Sequence, residues 1–146
     1  LQMLNEDLAL LAQAYDHVIL DLGAGVERTV RQLTHNVGIC IVVATDEPTS
    51  LTDAYAFIKL THMERPMLDI RIVINAANST REGERTYNTL LKACEGFLKI
   101  SPPLLGVVRR DPKVRETIKA QVPLLTRYPH AEAAQDVFTI ARKLIE

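Results

Sequence analysis

Asp21 closes the apolar run Val18-Ile19-Leu20 and passes directly into Gly23-Ala24-Gly25. Consecutive apolar residues of this kind predict a strand buried on both faces, so the aspartate is expected at the carboxyl edge of a parallel sheet, where open α/β folds bind ligands. There the carboxylate would orient a water on magnesium, while backbone N–H groups around Gly23 and Gly25 approach a γ-phosphate as closely as glycine allows. A plainer reading stands beside it: Asp21 caps a helix that begins near Val26. A dinucleotide turn is a poorer match, because Gly23-x-Gly25 would need a small residue where Arg28 stands. No G-x-x-x-x-G-K-[ST] loop occurs in the sequence, so these residues cannot hold a triphosphate by that route.

Three more segments are expected to leave strands at the same edge. Asn75 follows Ile70-Arg71-Ile72-Val73-Ile74, and its amide can both donate to and accept from the rim of a purine; it could equally be a turn residue that ends the strand. Arg109-Arg110-Asp111-Pro112 follows Leu104-Leu105-Gly106-Val107-Val108, where Asp111 reads as a helix cap and the arginines as solvated or ligand-facing. Thr45 to Ser50 follows Ile39 to Ala44, and turn chemistry accounts for most of it. His17, His35, His62 and His130 have no spacing that suggests a metal site or a triad. Cys40 and Cys94 lack metal-ligand spacing and read as small buried hydrophobes in a reduced, cytoplasmic compartment.

The elements that position these residues alternate. Leu1, Leu4, Leu8 and Leu11 share a helical face ahead of the first strand, and Val26, Val30, Leu33 and Val37 predict a helix before a second buried strand over Ile39–Ala44. Pro48-Thr49-Ser50 with Asp53 resembles a capping box, followed by a helix with Leu51, Ala54, Ile58 and Thr61 inward. Ser79 with Glu82 predicts another cap, and Tyr87, Leu90, Leu91, Cys94, Phe97 and Leu98 form the stripe of a long helix that Pro102-Pro103 stops. Asp111-Pro112 opens a helix running toward Pro123, and Ala133, Val137, Ile140 and Leu144 face inward on the last one. That last stripe favours packing on the sheet over membrane attachment. Strands separated by helices mean right-handed crossovers and a parallel sheet flanked by helices, an α/β three-layer architecture in a single domain spanning residues 1–146.

Composition narrows the partners. With 146 residues, 47% hydrophobic and 24% charged, the chain can bury a sizeable core. A net charge of −1 provides no electrostatic footprint for direct nucleic-acid binding. Its longest apolar runs are too short to span a bilayer as a helix.

Taken together, Asp21-Leu22-Gly23-Ala24-Gly25, the stretch Val42 to Tyr55, Val73-Ile74-Asn75 and Gly106 to Asp111 resemble the MinD/ParA family of deviant-Walker P-loop ATPases. Within it they are most similar to the FlhG (FleN, YlxH) branch that regulates flagellar number and placement, Glu47 to Tyr55 being the most branch-specific part. The resemblance implies a P-loop NTPase-like fold, ATP and Mg2+ as ligands, and dimerisation in the ATP state. By it, Asp21 matches the switch II acid that acts on the magnesium shell, and Gly23 and Gly25 match the turn that senses the γ-phosphate. Asn75 matches the adenine-reading asparagine, and Arg109, Arg110 and Asp111 match the loop that covers the base. Two departures stand out: Thr45-Asp46 replaces a threonine-proline pair, and Arg109-Arg110 stands where the family often has a proline before the aspartate. The resemblance places the phosphate loop and the switch I aspartate upstream of Leu1, making this the C-terminal part of the ATPase domain. ATP hydrolysis is then expected only when that upstream segment is joined, and the isolated chain is expected to be inactive. Implied partners are an SRP-type flagellar GTPase, a basal-body component or a transcription regulator, at the inner membrane surface or in the cytoplasm. The alternatives are a MinD-like cell-division or cargo-positioning ATPase, and a non-catalytic interaction module of the same fold.

Overall fold

The computed structural model describes residues 2–24, 32 and 37–146, which fall into two compact units, residues 1–38 and 39–146. In the first unit, helix α1 (Gln2–Ala14) is followed by residues 15–24 without a regular helix or strand. The strand expected over Val18–Leu20 is therefore not formed: Ile19 is 89% exposed and Asp21 is exposed. A strand is stable only when neighbouring strands take its N–H and C=O groups, and this run has no ladder partner among the described residues. Gly25 and most of the helix expected from Val26 to Val37 lie outside the described residues.

The second unit is built on a parallel sheet of β1 (Ile39–Ala44), β2 (Asp69–Ala77) and β3 (Leu104–Arg109), in that spatial order. Helix α2 (Pro48–Glu64) carries the chain from β1 to β2, and α3 (Thr80–Ala93), continued by a π-helical turn over Cys94–Leu98, carries it from β2 to β3. Because the strands advance in one direction with connections of one hand, both helices lie on one face. Together they bury Val42, Ala44, Ile58, Ile72, Ile74, Leu90, Cys94 and Val107. After β3 the chain forms α4 (Pro112–Ala120), the short α5 (Leu124–Arg127) and α6 (Glu132–Ile145). Helix α6 takes the opposite face of β3. A Cβ on Gly106 would lie 2.5 Å from Ile140 Cγ1, whereas the next residue, Val107, meets Gly83 of α3.

Among the described residues, one face of β1 is well covered and the other is not. Ile39, Ile41 and Val43 stay 37%, 40% and 58% exposed, in contrast to the expectation of a strand buried on both sides. A single helix about 10 Å across covers roughly two strands spaced about 4.8 Å apart, so α6 on β3 does not reach the far edge.

Local signals at the helix ends divide. Ser79 accepts the Glu82 N–H at 3.1 Å and Asp111 accepts that of Lys113 at 2.9 Å, both as the spacing predicts. The capping box at Ser50 does not form, because α2 starts at Pro48 and leaves Ser50 inside its first turn; its Oγ instead accepts the Thr45 N–H at 2.9 Å. The π-helical turn adds a residue to the last turn of α3, swinging Phe97 out of the expected stripe to 80% exposure, edge-on to Tyr55.

Thr61, 1% exposed on α2, has a hydroxyl with no hydrogen-bond partner among the described residues. Thr61→Val keeps the shape and removes the unpaid desolvation of that oxygen, so a gain of about 1 kcal/mol is expected. A denaturant midpoint that rises with an unchanged slope would bear this out, and a lowered midpoint would overturn it.

Candidate functional site

The ends of β1, β2 and β3 lie side by side: Ala44 pairs with Ile74, Ile74 with Val107, and Ala77 with Arg109. Thr45, Asn75 and the 109–111 loop therefore emerge at one edge, the carboxyl edge of three consecutive parallel strands.

An irregularity in β2 shapes this edge. Between the pairs Ile74–Val107 and Ala77–Arg109, β2 advances three residues (74 to 77) while β3 advances two (107 to 109). Ala76 absorbs the extra residue in the left-handed region, at φ 54°. Such a bulge bends the strand and re-aims side chains. Asn75 is exposed as a result, and its amide makes no hydrogen bond among the described residues. The sequence gives no signal for this, since alanine is not a residue that favours positive φ.

Loop 109–111 is anchored at every residue. The Arg109 N–H and Nε both donate to Asp136 Oδ2 at 2.9 Å, a second guanidinium nitrogen donates to Oδ1 at 3.0 Å, and a third lies 3.1 Å from Glu132. These bonds, the Asp136 one foremost, push the already high Arg109 pKa further up. The Arg110 N–H donates to the Ala77 carbonyl at 2.7 Å, and its exposed side chain reaches back to the Ala76 carbonyl at 3.5 Å. Asp111 caps two helices at once: Oδ1 accepts from Lys113 N–H at 2.9 Å and Oδ2 from Ala133 N–H, in the first turn of α6, at 3.2 Å. Arg109 thus turns onto α6, Arg110 projects at the edge, and Asp111 ties α4 to α6.

Sequence reasoning missed Asp136 and Glu132. The two acids stand one helical turn apart and share a face, which is visible in the sequence, but the arginine they meet lies 27 residues from Asp136 and is found only by folding. At the end of β1, Ser50 and Thr45 hold the turn through backbone N–H groups, the second contact running from Glu47 at 3.4 Å.

Asp21 and Gly23 lie in the first unit, where both are exposed, and Asp21 has no hydrogen bond or ion pair among the described residues. Burial pushes the Cys40 and Cys94 thiols up, which disfavours the thiolate that nucleophilic chemistry would require. Among the described residues no three His, Cys, Asp or Glu side chains are grouped to hold a metal. No helix among them is long and apolar enough to cross a membrane.

A family model described as cellulose biosynthesis protein BcsQ matches residues 1–145. The antiactivator FleN of Pseudomonas aeruginosa is 31% identical over 129 residues, covering 88% of this chain and 46% of FleN. The flagellum site-determining protein YlxH of Helicobacter pylori is 24% identical over 131 residues, covering 89% of this chain and 44% of YlxH. Among solved structures, the septum site-determining protein MinD of Pyrococcus horikoshii, complexed with Mg-ADP, superposes with a TM-score of 0.74 at 23% identity, covering 97% of this chain and 55% of that one. The chain spans about half the length of the curated relatives it matches.

Proposed function

The chain belongs to the BcsQ family of MinD/ParA-type proteins, on the branch of FleN and YlxH, and from this premise we propose that it forms the switch and base-binding part of an ATPase that sets flagellar number or placement. The ATP-bound form dimerises, and hydrolysis resets the contact with its partner in the cytoplasm or at the inner membrane surface. The observation that carries this reading is the shared edge: three parallel strands deliver Thr45, Asn75 and the anchored 109–111 loop together, the position where open α/β sheets bind ligands.

Within the second unit, the residues at the sheet edge fit the base that the family implies. Asn75 exposes an amide with a donor and an acceptor unused among the described residues, which complements the rim of adenine. Arg110 and the backbone of loop 109–111 flank it and would cover the base. Asp21, exposed in the first unit, and Gly23 with Gly25 enter by the family resemblance alone: the acid would act on the magnesium shell through water, and the glycines would sense the γ-phosphate. When bound, ATP supplies the transferable phosphoryl group and Mg2+ offsets its charge. Loss of γ-phosphate contacts releases such a turn, which couples hydrolysis to partner exchange.

Asn75→Ala in the full-length protein tests the base contact. Two hydrogen bonds of about 1 kcal/mol each predict a rise in the Kd for ATP of roughly tenfold or more, with the preference for ATP over GTP largely erased. Calorimetric titration with both nucleotides measures it, and an unchanged ATP affinity would remove Asn75 from the site. Flagellar counts in a deletion strain address the biological role: normal flagella with misplaced septa would point to a division ATPase instead.

A further inference from the structure

We infer that Asp136, on α6, is a positioning residue for the nucleotide-base loop, holding it in its binding shape through Arg109; this rests on the reading of that loop given above. One carboxylate takes both the main-chain N–H and the guanidinium fork of the same arginine, at 2.9, 2.9 and 3.0 Å. The main-chain contact fixes the direction in which the chain leaves β3. The side-chain fork prevents Arg109 from swinging back toward the edge.

The ion pair is sheltered, with Asp136 at 15% and Arg109 at 29% side-chain exposure, so screening by water is reduced and the bidentate geometry is favourable. Glu132 adds a third nitrogen contact at 3.1 Å from the more exposed rim, and Asp111 returns to the same helix through Ala133 N–H. Helix α6 is thus the template on which residues 109–111 are laid. What remains directed at the edge is Arg110, whose backbone is pinned to β2 by its N–H to Ala77 while its side chain is exposed. Preorganisation of this sort favours a ligand by sparing it the ordering of the loop.

The test uses the full-length protein with Asp136→Ala, Asp136→Asn and Arg109→Lys, titrated with ATP, GTP and inorganic tripolyphosphate, each with Mg2+. Asp136→Ala should weaken ATP about tenfold and compress the ATP-to-GTP ratio by a similar factor, while tripolyphosphate, which has no base, binds as in the wild type. Asp136→Asn keeps an acceptor for the Arg109 N–H and should recover part of the ratio; it also decides the matter if the alanine variant fails to fold. Arg109→Lys keeps the main-chain N–H to Asp136 but cannot reproduce the fork, so its ATP-to-GTP ratio should fall between the wild type and the alanine variant. Equal losses for all three ligands, or an unchanged ATP-to-GTP ratio in Asp136→Asn and Arg109→Lys, would overturn the positioning role while leaving the reading of the loop intact. A wild-type protein that binds tripolyphosphate but does not distinguish ATP from GTP would overturn that reading, and this inference with it.

Discussion

Gly83→Ala is expected to destabilise residues 39–146 by about 2 kcal/mol, although alanine is the better helix former. A methyl at this position would overlap Val107 Cγ1 and approach Cγ2 at 2.8 Å and Cβ at 3.1 Å. Val107 cannot retreat, because a β-branched side chain has little χ1 freedom and this one sits in the core between α3 and the sheet. Helix propensity favours the substitution by about 1 kcal/mol, while overpacking a closed core costs about 1–3 kcal/mol and spreads into the strand. The clash wins because Val107 belongs to β3, whose other face is held just as closely by Ile140 against Gly106. Backbone movement that relieved one side would compress the other. The decisive measurement is a double-mutant cycle with Val107→Ala: removing both methyls that the new side chain meets should restore much of the loss, giving a coupling energy of about 1 kcal/mol or more. Additive effects in the cycle, or a Gly83→Ala variant as stable as the parent, would refute the close-approach account.

If Asp21 acts on the attacking water and the magnesium shell as proposed, Asp21→Ala in the full-length protein slows ATP hydrolysis by about 100-fold or more and leaves ATP affinity within a few-fold. The structure makes this separable from a role in folding. Asp21 is exposed and engages no partner among the described residues, so its loss removes no packed contact there. If its role were helix capping alone, the variant would lose about 1 kcal/mol of stability and retain its turnover. Single-turnover hydrolysis beside thermal unfolding therefore distinguishes the two readings. Undiminished hydrolysis would end the catalytic one.

The fold of residues 39–146 was largely legible from periodicity. Each of the three strands there was marked by a short apolar run, and Ser79 and Asp111 announced helix starts because a cap is a local interaction between residues two or three apart. Two of the failures depend on partners distant in the chain, and a third on a local change of helical count. Val18–Leu20 has the apolar run of a strand, but a strand is completed by neighbours that lie elsewhere in the chain, and no such pairing forms among the described residues. Ile41 and Val43 were expected to be covered on both sides, and coverage depends on which helix reaches which strand. Phe97 sat on a helical stripe until the π-helical turn changed the count.

By itself, the amino-acid sequence determined the parallel α/β order of residues 39–146 and the likeness to MinD/ParA proteins carried by Asp21, Asn75 and the 106–111 segment; it placed Asn75 at the end of its strand, whereas β2 runs on to Ala77. These depend on periodicity and on neighbours a few residues apart, which a linear reading contains. Only the tertiary structure decided that Arg109 turns onto Asp136, that one Asp111 carboxylate caps both α4 and α6, and that a bulge at Ala76 turns Asn75 outward. Each of those joins groups far apart in the chain or balances a backbone cost against packing around it. Electrostatic pairing and close packing act through distance in space, and the folded sheet sets that distance.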